Sequence, residues 1–281
     1  MANERMRDFW TTGAEGWVTH KDLFDAELAA FADAVLAAAS PGPGDRVLDI
    51  GCGTGVLLAA AVGQGAEGVG VDISTTMIDA ARELVPGASF EVTDAQTADL
   101  TAAGPFTKVI SRFGVMFFED PVAAFANIRR AAAPGASLAF ACWRGADENE
   151  MFTLGASVLL SRMDPPPPPP EPGAPGPLAF ADPARVRTIL EGAGWSDIDV
   201  IPFDATCNYG RDGSDGVEER LTVVLSISSG RTARAQLEPE LSAEAWAALL
   251  DDVRAELRRN LVDGTVQFNG ATWLVTARNP G

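Results

Sequence analysis

A chain of 281 residues, 47% hydrophobic and 21% charged, has room for one α/β core with an elaboration but not for two large domains. Its formal net charge of −18, with Lys21 and Lys108 as the only lysines, opposes a phosphate backbone and argues against nucleic acid as a partner. No apolar run reaches the ~18 residues of a membrane span, and Cys52, Cys142 and Cys207 are too scattered for a disulfide frame or a zinc site. Cys52 and Cys142 read as small buried hydrophobes. The first residues are charged and lack a signal-peptide core, so a cytoplasmic protein is the default expectation.

Residues 5–39 read as helical, with Phe9, Trp10, Trp17, Leu23, Phe24, Leu28, Phe31 and Val35 as the apolar positions. This segment is either a lid over a site or a helix packed on a sheet. Pro41, Gly42, Pro43 and Gly44 break it. Arg46–Val56 then reads R-V-L-D-I-G-C-G-T-G-V. Its apolar run suits a strand buried on both faces of a parallel sheet, and Gly51, Gly53 and Gly55 lead into a helix over 56–63. Strand, glycine turn and helix N-terminus together suit a nucleotide, because backbone can approach where a Cβ would clash. A dinucleotide fingerprint needs G-x-G-x-x-G; here Val56 stands where the third glycine belongs.

Gly68–Ile73 is the second strand, ending in Asp72, where an acid accepts hydrogen bonds from ribose hydroxyls. This feature does not choose between nicotinamide and adenosyl cofactors. Ser74 caps a helix over Thr75–Leu84 that begins with Met77 and Ile78. Ser89–Val92 is a third strand leading into Thr93-Asp94-Ala95. Phe106–Phe113 is a fourth, and Asp120-Pro121 starts a helix that Pro134-Gly135 ends. Ser137–Trp143 is the fifth strand. Strands alternating with helices of about ten residues predict βαβ units and a mostly parallel sheet, with ligands at the strands' carboxyl ends. Gly51, Asp72, Asp94 and Ser111–Arg112 all fall at such ends.

The second half is less regular. Met151–Met163 reads as a helix, and Asp164-Pro165 opens a polyproline connector that continues through Glu171–Pro177. Asp182-Pro183 caps a helix over Ala184–Ala193, and Ile198–Phe203 is a sixth strand. Thr206–Gly216 reads as a loop, Val217–Ser229 as a helical or strand-like apolar run, and Ser242–Leu261 as an amphipathic helix. Val266–Phe268 and Thr272–Ala277 form a last strand interrupted around Asn269-Gly270. The expected organisation is an N-terminal helical segment (1–40), a cofactor-binding core (41–145) and a completing part with substrate-pocket insertions (146–281), one catalytic domain in all.

The ordered set D-I-G-C-G-T-G, G-V-D-I-S, T-D-A, S-R-F-G-V-M-F-F-E-D-P and A-P-G-A-S-L-A-F resembles the class I S-adenosylmethionine-dependent methyltransferases of the ubiquinone/menaquinone-biosynthesis type. The resemblance covers about residues 40–145. It implies a Rossmann-like seven-stranded sheet with an antiparallel last strand, S-adenosylmethionine as cofactor and a small-molecule acceptor. It also implies that Gly51, Gly53 and Gly55 hold the methionine tail and Asp49 orients it, with Ser111 or Arg112 closing that end. Asp72 and Ile73 would lie at the ribose, Asp94 and Ala95 at the adenine edge, and Met77 or Ile78 against the ring. A homo-oligomer stays open. A metal is not expected, since no acidic cluster of the catechol-enzyme kind is present. His20, the only histidine, is the first candidate for a base, ahead of Tyr209 and Glu119; a base-free transfer is an equal alternative. Phe113, Met116, Phe117 and Phe118 are apolar: some are candidates to line a pocket for a flat or hydrophobic acceptor, and most of them read as core. The rival readings are a rearrangement that uses the bound sulfonium without methyl transfer, an NAD-dependent oxidoreductase, and a non-catalytic partner subunit.

Overall fold

The computed structural model describes residues 3–166, 168, 171–211 and 213–281. Three helices come first, α1 (Glu4–Thr19), α2 (Lys21–Glu27) and α3 (Ala29–Ala39), followed by β1 (Arg46–Ile50), α4 (Val56–Gly63), β2 (Glu67–Asp72), α5 (Thr75–Leu84), β3 (Ser89–Val92), β4 (Phe106–Arg112), α6 (Pro121–Ala131) and β5 (Ala132–Trp143). The second half adds α7 (Ala156–Leu160), α8 (Pro183–Gly192), β6 (Ser196–Asn208), α9 (Val217–Ser226), α10 (Ser228–Leu237), α11 (Ala243–Arg259) and β7 (Gln267–Arg278). The seven strands make one sheet in the order β3-β2-β1-β4-β5-β7-β6. The first five pair in parallel, and β7 lies antiparallel between β5 and β6. This is the expected Rossmann-like architecture with its antiparallel last strand.

The helix starts follow from local chemistry. Ser74 Oγ accepts from Met77 N at 3.4 Å, Asp120 Oδ1 from Ala123 N at 2.9 Å ahead of Pro121, and Asp182 Oδ1 from Ala184 N at 2.9 Å ahead of Pro183. Val47, Leu48, Ile50, Val109 and Ile110 are all buried, as central parallel strands covered on both faces must be. All three cysteines are buried and unpaired, and burial pushes each thiol up, so they behave as small core residues.

Several boundaries differ from the sequence reading. The helix expected over Met151–Met163 is a single turn at Glu150–Phe152 and a short α7, divided at Gly155, whose φ is +83. The run Val217–Ser229 is helical, split between α9 and α10. The last strand passes through Asn269-Gly270 without interruption, with Gly270 paired to Ala205. Gly270 is there for close approach rather than a turn: a Cβ would come within 2.7 Å of Phe31 Cζ. Because β7 continues, β6 continues with it beyond Phe203 to Asn208, into the stretch expected to be a loop. The fifth strand begins at Ala132, which pairs with Phe106, before the expected Ser137. The polyproline expectation at residues 167, 169 and 170 lies outside the described residues, as does residue 212 of the expected loop.

The N-terminal helices divide the two roles considered for them. Phe31 and Val35 of α3 are fully buried, and α3 packs on β4 and β5. Met6, Trp10 and Trp17 of α1 instead roof a cavity over the sheet's carboxyl edge.

Candidate active site

Strand order reverses between β1 and β4, the switch point at which doubly wound sheets open a crevice. The two strand ends are forced close: a Cβ on Gly51, which has φ +63, would lie 2.8 Å from Gly114 Cα. Ser111 ties the same ends together. Its hydroxyl donates to the Ile50 carbonyl at 2.7 Å and accepts from Gly114 N at 3.2 Å. In the crevice lies a cavity walled by the ends of both strands, with Ile50, Gly51, Arg112 and Gly114 on its lining.

Asp49, Gly51, Gly53, Asp72, Ile73, Met77, Asp94, Ala95 and Arg112 all line this cavity. The turn faces it with backbone, and a Cβ on Gly53 would meet nothing within 4 Å. Asp72 is held at the end of β2 by two backbone donors, Gly53 N to Oδ2 at 3.0 Å and Ser74 N to Oδ1 at 2.9 Å. Those bonds leave further lone pairs on both oxygens. Asp94 accepts from Gln96 N at 2.9 Å and, through both oxygens, from Asn3 Nδ2 at 3.0 Å.

Other sequence-selected residues lie elsewhere. Ser111 and Ile78 are buried and serve packing, not the cavity wall. Gly55 caps α4 with φ +86, and a Cβ there would stand 3.1 Å from Ala81 Cβ. It therefore seats α4 against α5, the packing role that a dinucleotide fingerprint gives its last glycine. Gly55→Ala is expected to cost about 1–2 kcal/mol of stability from the left-handed backbone alone, measurable as a lowered denaturant midpoint. His20 sits at the junction of α1 and α2 and lines neither this cavity nor the one described below. Glu119 meets the site only through its backbone N–H, which donates to Asn3 Oδ1 at 2.8 Å.

One wall carries an unusual pair of charges. Asp49 is 1% exposed and its Oδ2 has no hydrogen-bond partner among the described residues. Burial pushes its carboxyl up to about 7, against the pull of Arg112. The Arg112 guanidinium lies 3.7 Å from Asp25, its Nη1 has no hydrogen-bond partner among the described residues, and burial holds its pKa below the usual value. An unpartnered carboxylate oxygen and an unpartnered guanidinium nitrogen beside one cavity fit a ligand end bearing both ammonium and carboxylate. A methionine moiety is such an end, so this donor set fits an adenosylmethionine-type ligand.

Comparison with known proteins agrees. A family model described as a methyltransferase domain matches residues 47–135. A demethylmenaquinone methyltransferase of Mycobacterium sp. (strain KMS) is 31% identical over 174 residues, covering 58% of this chain and 72% of the relative. The chain belongs to the class I S-adenosylmethionine-dependent methyltransferases. A ubiquinone biosynthesis O-methyltransferase of Hahella chejuensis is 31% identical over 126 residues, covering 43% of this chain and 53% of that one. In fold, the methyltransferase is similar to a methyltransferase structure from Bacillus halodurans C-125, with TM-score 0.55, 16% identity, and coverage of 90% of this chain and 100% of that one. The cofactor of that family is S-adenosylmethionine. Among the described residues no helix is long and apolar enough to cross a membrane, and no group of three His, Cys, Asp or Glu side chains could hold a metal.

A second cavity opens beside the first, and Trp10, Trp17, Phe24, Leu28, Phe113 and Phe117 line both. Trp17 stacks on Phe24 at 3.9 Å, and Phe113 stacks on Trp143 at 4.3 Å with rings 3° apart. Phe113 has φ +63, a strained backbone for a phenylalanine, at the junction of the two spaces. Phe113, Met116 and Phe117 thus line the second cavity as expected of pocket residues, while Phe118 lines only the first. The polar groups on the second wall are Glu27, Ser226, Ser229 and Arg231.

Sequence reading missed Asn3, Asp25 and Glu27. Glu27 did leave a trace. Phe24, Glu27, Leu28 and Phe31 recur at the spacing of one helical face, so an acid stands within an apolar stripe.

The buried acids also set how stability depends on pH. Burial raises Asp49 and Glu27 each to about 7, and raises Asp25 and Asp72 as well. A carboxyl raised in the folded state contributes stability that is complete below its unfolded pKa, near 4, and is lost as pH rises through 7. The ligand-free methyltransferase is expected to melt at a higher temperature at pH ~5 than at pH ~7.5. Saturating S-adenosylhomocysteine should reduce that difference by supplying an ammonium to Asp49. Thermal scans at the two pH values, with and without the ligand, check both parts.

Proposed function

We propose that this methyltransferase acts on a small, flat, apolar or aromatic metabolite held in the second cavity. The observation that carries this reading is that the two cavities are adjacent and share aromatic walls, Trp10, Trp17, Phe24, Phe113 and Phe117 lining both. An acceptor stacked among Trp10, Trp17, Phe113 and Phe117 lies beside the cofactor site with little room for water. The names of the relatives, quinone-biosynthesis methyltransferases from Mycobacterium and Hahella, point to the same class of ring.

In this reading Asp49 pairs with the cofactor's ammonium and Arg112 with its carboxylate, while the Gly51–Gly53 backbone lies along the tail. Asp72 accepts from the ribose hydroxyls, and Asp94 with the Ala95 N–H reads the adenine edge over Met77 and Ile73. Asn3, which already donates to Asp94, closes the adenine end from α1. The bound cofactor supplies a methyl group on a sulfonium, already activated for displacement. The protein's part is then to align the acceptor, exclude water and accommodate any proton that the acceptor loses. The aromatic walls do the first two.

The test is incubation of the purified chain with S-adenosylmethionine and a panel of naphthols, hydroquinols and polar amines. The readouts are the methyl mass shift and S-adenosylhomocysteine formation. Turnover confined to the flat hydroxylated aromatics is the expected result. Turnover confined to polar amines would sink the acceptor assignment, and conversion without S-adenosylhomocysteine would replace transfer by rearrangement.

A further inference from the structure

Glu27 closes α2 and stands on the wall of the aromatic cavity, 4% exposed, amid rings from α1, α2 and β5. Its two oxygens differ. Oε1 accepts the Tyr209 hydroxyl, and the Tyr209 oxygen in turn accepts from Arg220 Nη1 at 3.1 Å. Arg220 is fully buried and anchored by bonds from Nη2 to the carbonyls of Met151 and Leu154 at 2.8 and 2.9 Å. Oε2 is buried and has no hydrogen-bond partner among the described residues. A buried carboxylate oxygen without a donor is costly, so native structures hold few of them, and a catalytic role is one of the reasons they persist.

We propose that Glu27 Oε2 receives the hydroxyl proton of the acceptor, which makes the substrate a flat, apolar alcohol of the phenol or enol type. This assignment rests on the reading of the aromatic cavity as the acceptor site. The acceptor O–H first donates a hydrogen bond to Oε2. As the acceptor oxygen forms its bond to the methyl carbon, the O–H proton passes to Glu27 and the methyl–sulfur bond pair stays on sulfur. The charge balances: carboxylate, neutral alcohol and sulfonium become carboxylic acid, methyl ether and neutral thioether. The carboxylic acid then returns its proton to solvent after the ether leaves.

The groups facing Glu27 fit a base working near neutrality. Burial raises its pKa to about 7, opposed by Arg220 from α9, the Tyr209 hydroxyl next to β6 and Arg112 from β4. Cys207 of β6 also feels its charge, and burial keeps that thiol protonated. Arg231 of α10, on the cavity wall, packs over Phe9 with its guanidinium 4.9 Å from the ring centroid. Burial likewise holds the Tyr209 hydroxyl up, so Tyr209 remains the donor. Tyr209 and Arg220 are positioning residues. They fix Oε1 and leave Oε2 for the substrate.

The experiment is calorimetric titration of the full chain, saturated with S-adenosylhomocysteine, with 2-naphthol and with its methyl ether. Wild type is expected to prefer the naphthol by ~tenfold or more above pH ~7, and to lose that preference in a single-proton step as pH falls and Glu27 protonates. Glu27→Gln should abolish the preference while leaving S-adenosylhomocysteine affinity within ~twofold. Tyr209→Phe, which keeps the ring, should move the midpoint of the step to higher pH, a shift that a purely structural role would not produce. If Glu27→Gln does not fold, the single-proton step in wild type carries the test, and a preference independent of pH overturns the proposal. An intact preference in Glu27→Gln overturns it as well. If neither aromatic binds wild type while S-adenosylhomocysteine does, the aromatic-acceptor reading falls, and the Glu27 assignment falls with it.

Discussion

Replacing Arg220 by methionine is expected to destabilise the fold by about 3–5 kcal/mol, the cost of breaking a buried charged network by removing one partner. Arg220 is fully buried on α9, with its guanidinium 5.0 Å from the Phe268 ring centroid and 5.4 Å from that of Tyr209. Methionine preserves much of the stem and its dispersion contacts, so the loss isolates the charge and its hydrogen bonds. The Met151 and Leu154 carbonyls and the Tyr209 oxygen would lose their guanidinium donor, and so would the Met151 sulfur and the Glu150 carbonyl at longer range. Glu27 would also lose the cation that draws its pKa down. Denaturant unfolding measures the effect, and a change under ~1 kcal/mol would show that water replaces the guanidinium. Adding Glu27→Gln to the Arg220 variant should recover part of the loss, because the two residues share one network through Tyr209 and their effects should not add.

Asp72→Ala is expected to cost ~1–3 kcal/mol of cofactor affinity, a rise of ~5–150-fold in the Kd of S-adenosylhomocysteine. Two effects act together. The proposed ribose contacts are lost, and so is the acceptor that ties Gly53 N–H at 3.0 Å and fixes the glycine turn. Asp72→Asn separates them. It retains a carbonyl oxygen for one backbone donor and loses the charge, so it should fall between alanine and wild type. Calorimetric titration gives both values. A Kd for Asp72→Ala within ~twofold of wild type would remove Asp72 from the ribose site.

The parts of the site that sequence reading located share one property: each depends on a local backbone requirement. Gly51, with φ +63, and Gly53, with φ +54, need left-handed backbone at the end of β1. Asp72 closes β2 and Asp94 stands two residues beyond β3, and Ser74, Asp120 and Asp182 cap helices within three residues of themselves. Such requirements are written in neighbouring residues, so a pattern can carry them. The same pattern did not separate residues that face the ligand from residues that support it. Ser111 and Gly55 match the family motifs, yet one bonds β1 to β4 and the other packs α4 on α5.

The second cavity was decided by tertiary structure. Its walls include residues of α1, α2, the end of β4, β5, α9 and α10, and no local spacing relates them. Glu27 meets Tyr209 across 182 positions and Asn3 meets Asp94 across 91. The apolar stripe around Glu27 is visible in the sequence, but it could not say that one carboxylate oxygen would find a tyrosine and the other no protein partner among the described residues. His20, conspicuous in the sequence as the only histidine, stands off both cavities for the same reason. By itself, then, the sequence determined the sheet, the glycine turn and the acids at the strand ends, because backbone geometry and short-range hydrogen bonds dictate them. Only the tertiary structure decided which side chains converge on the second cavity, because that depends on how helices far apart in the chain pack over the sheet's carboxyl edge.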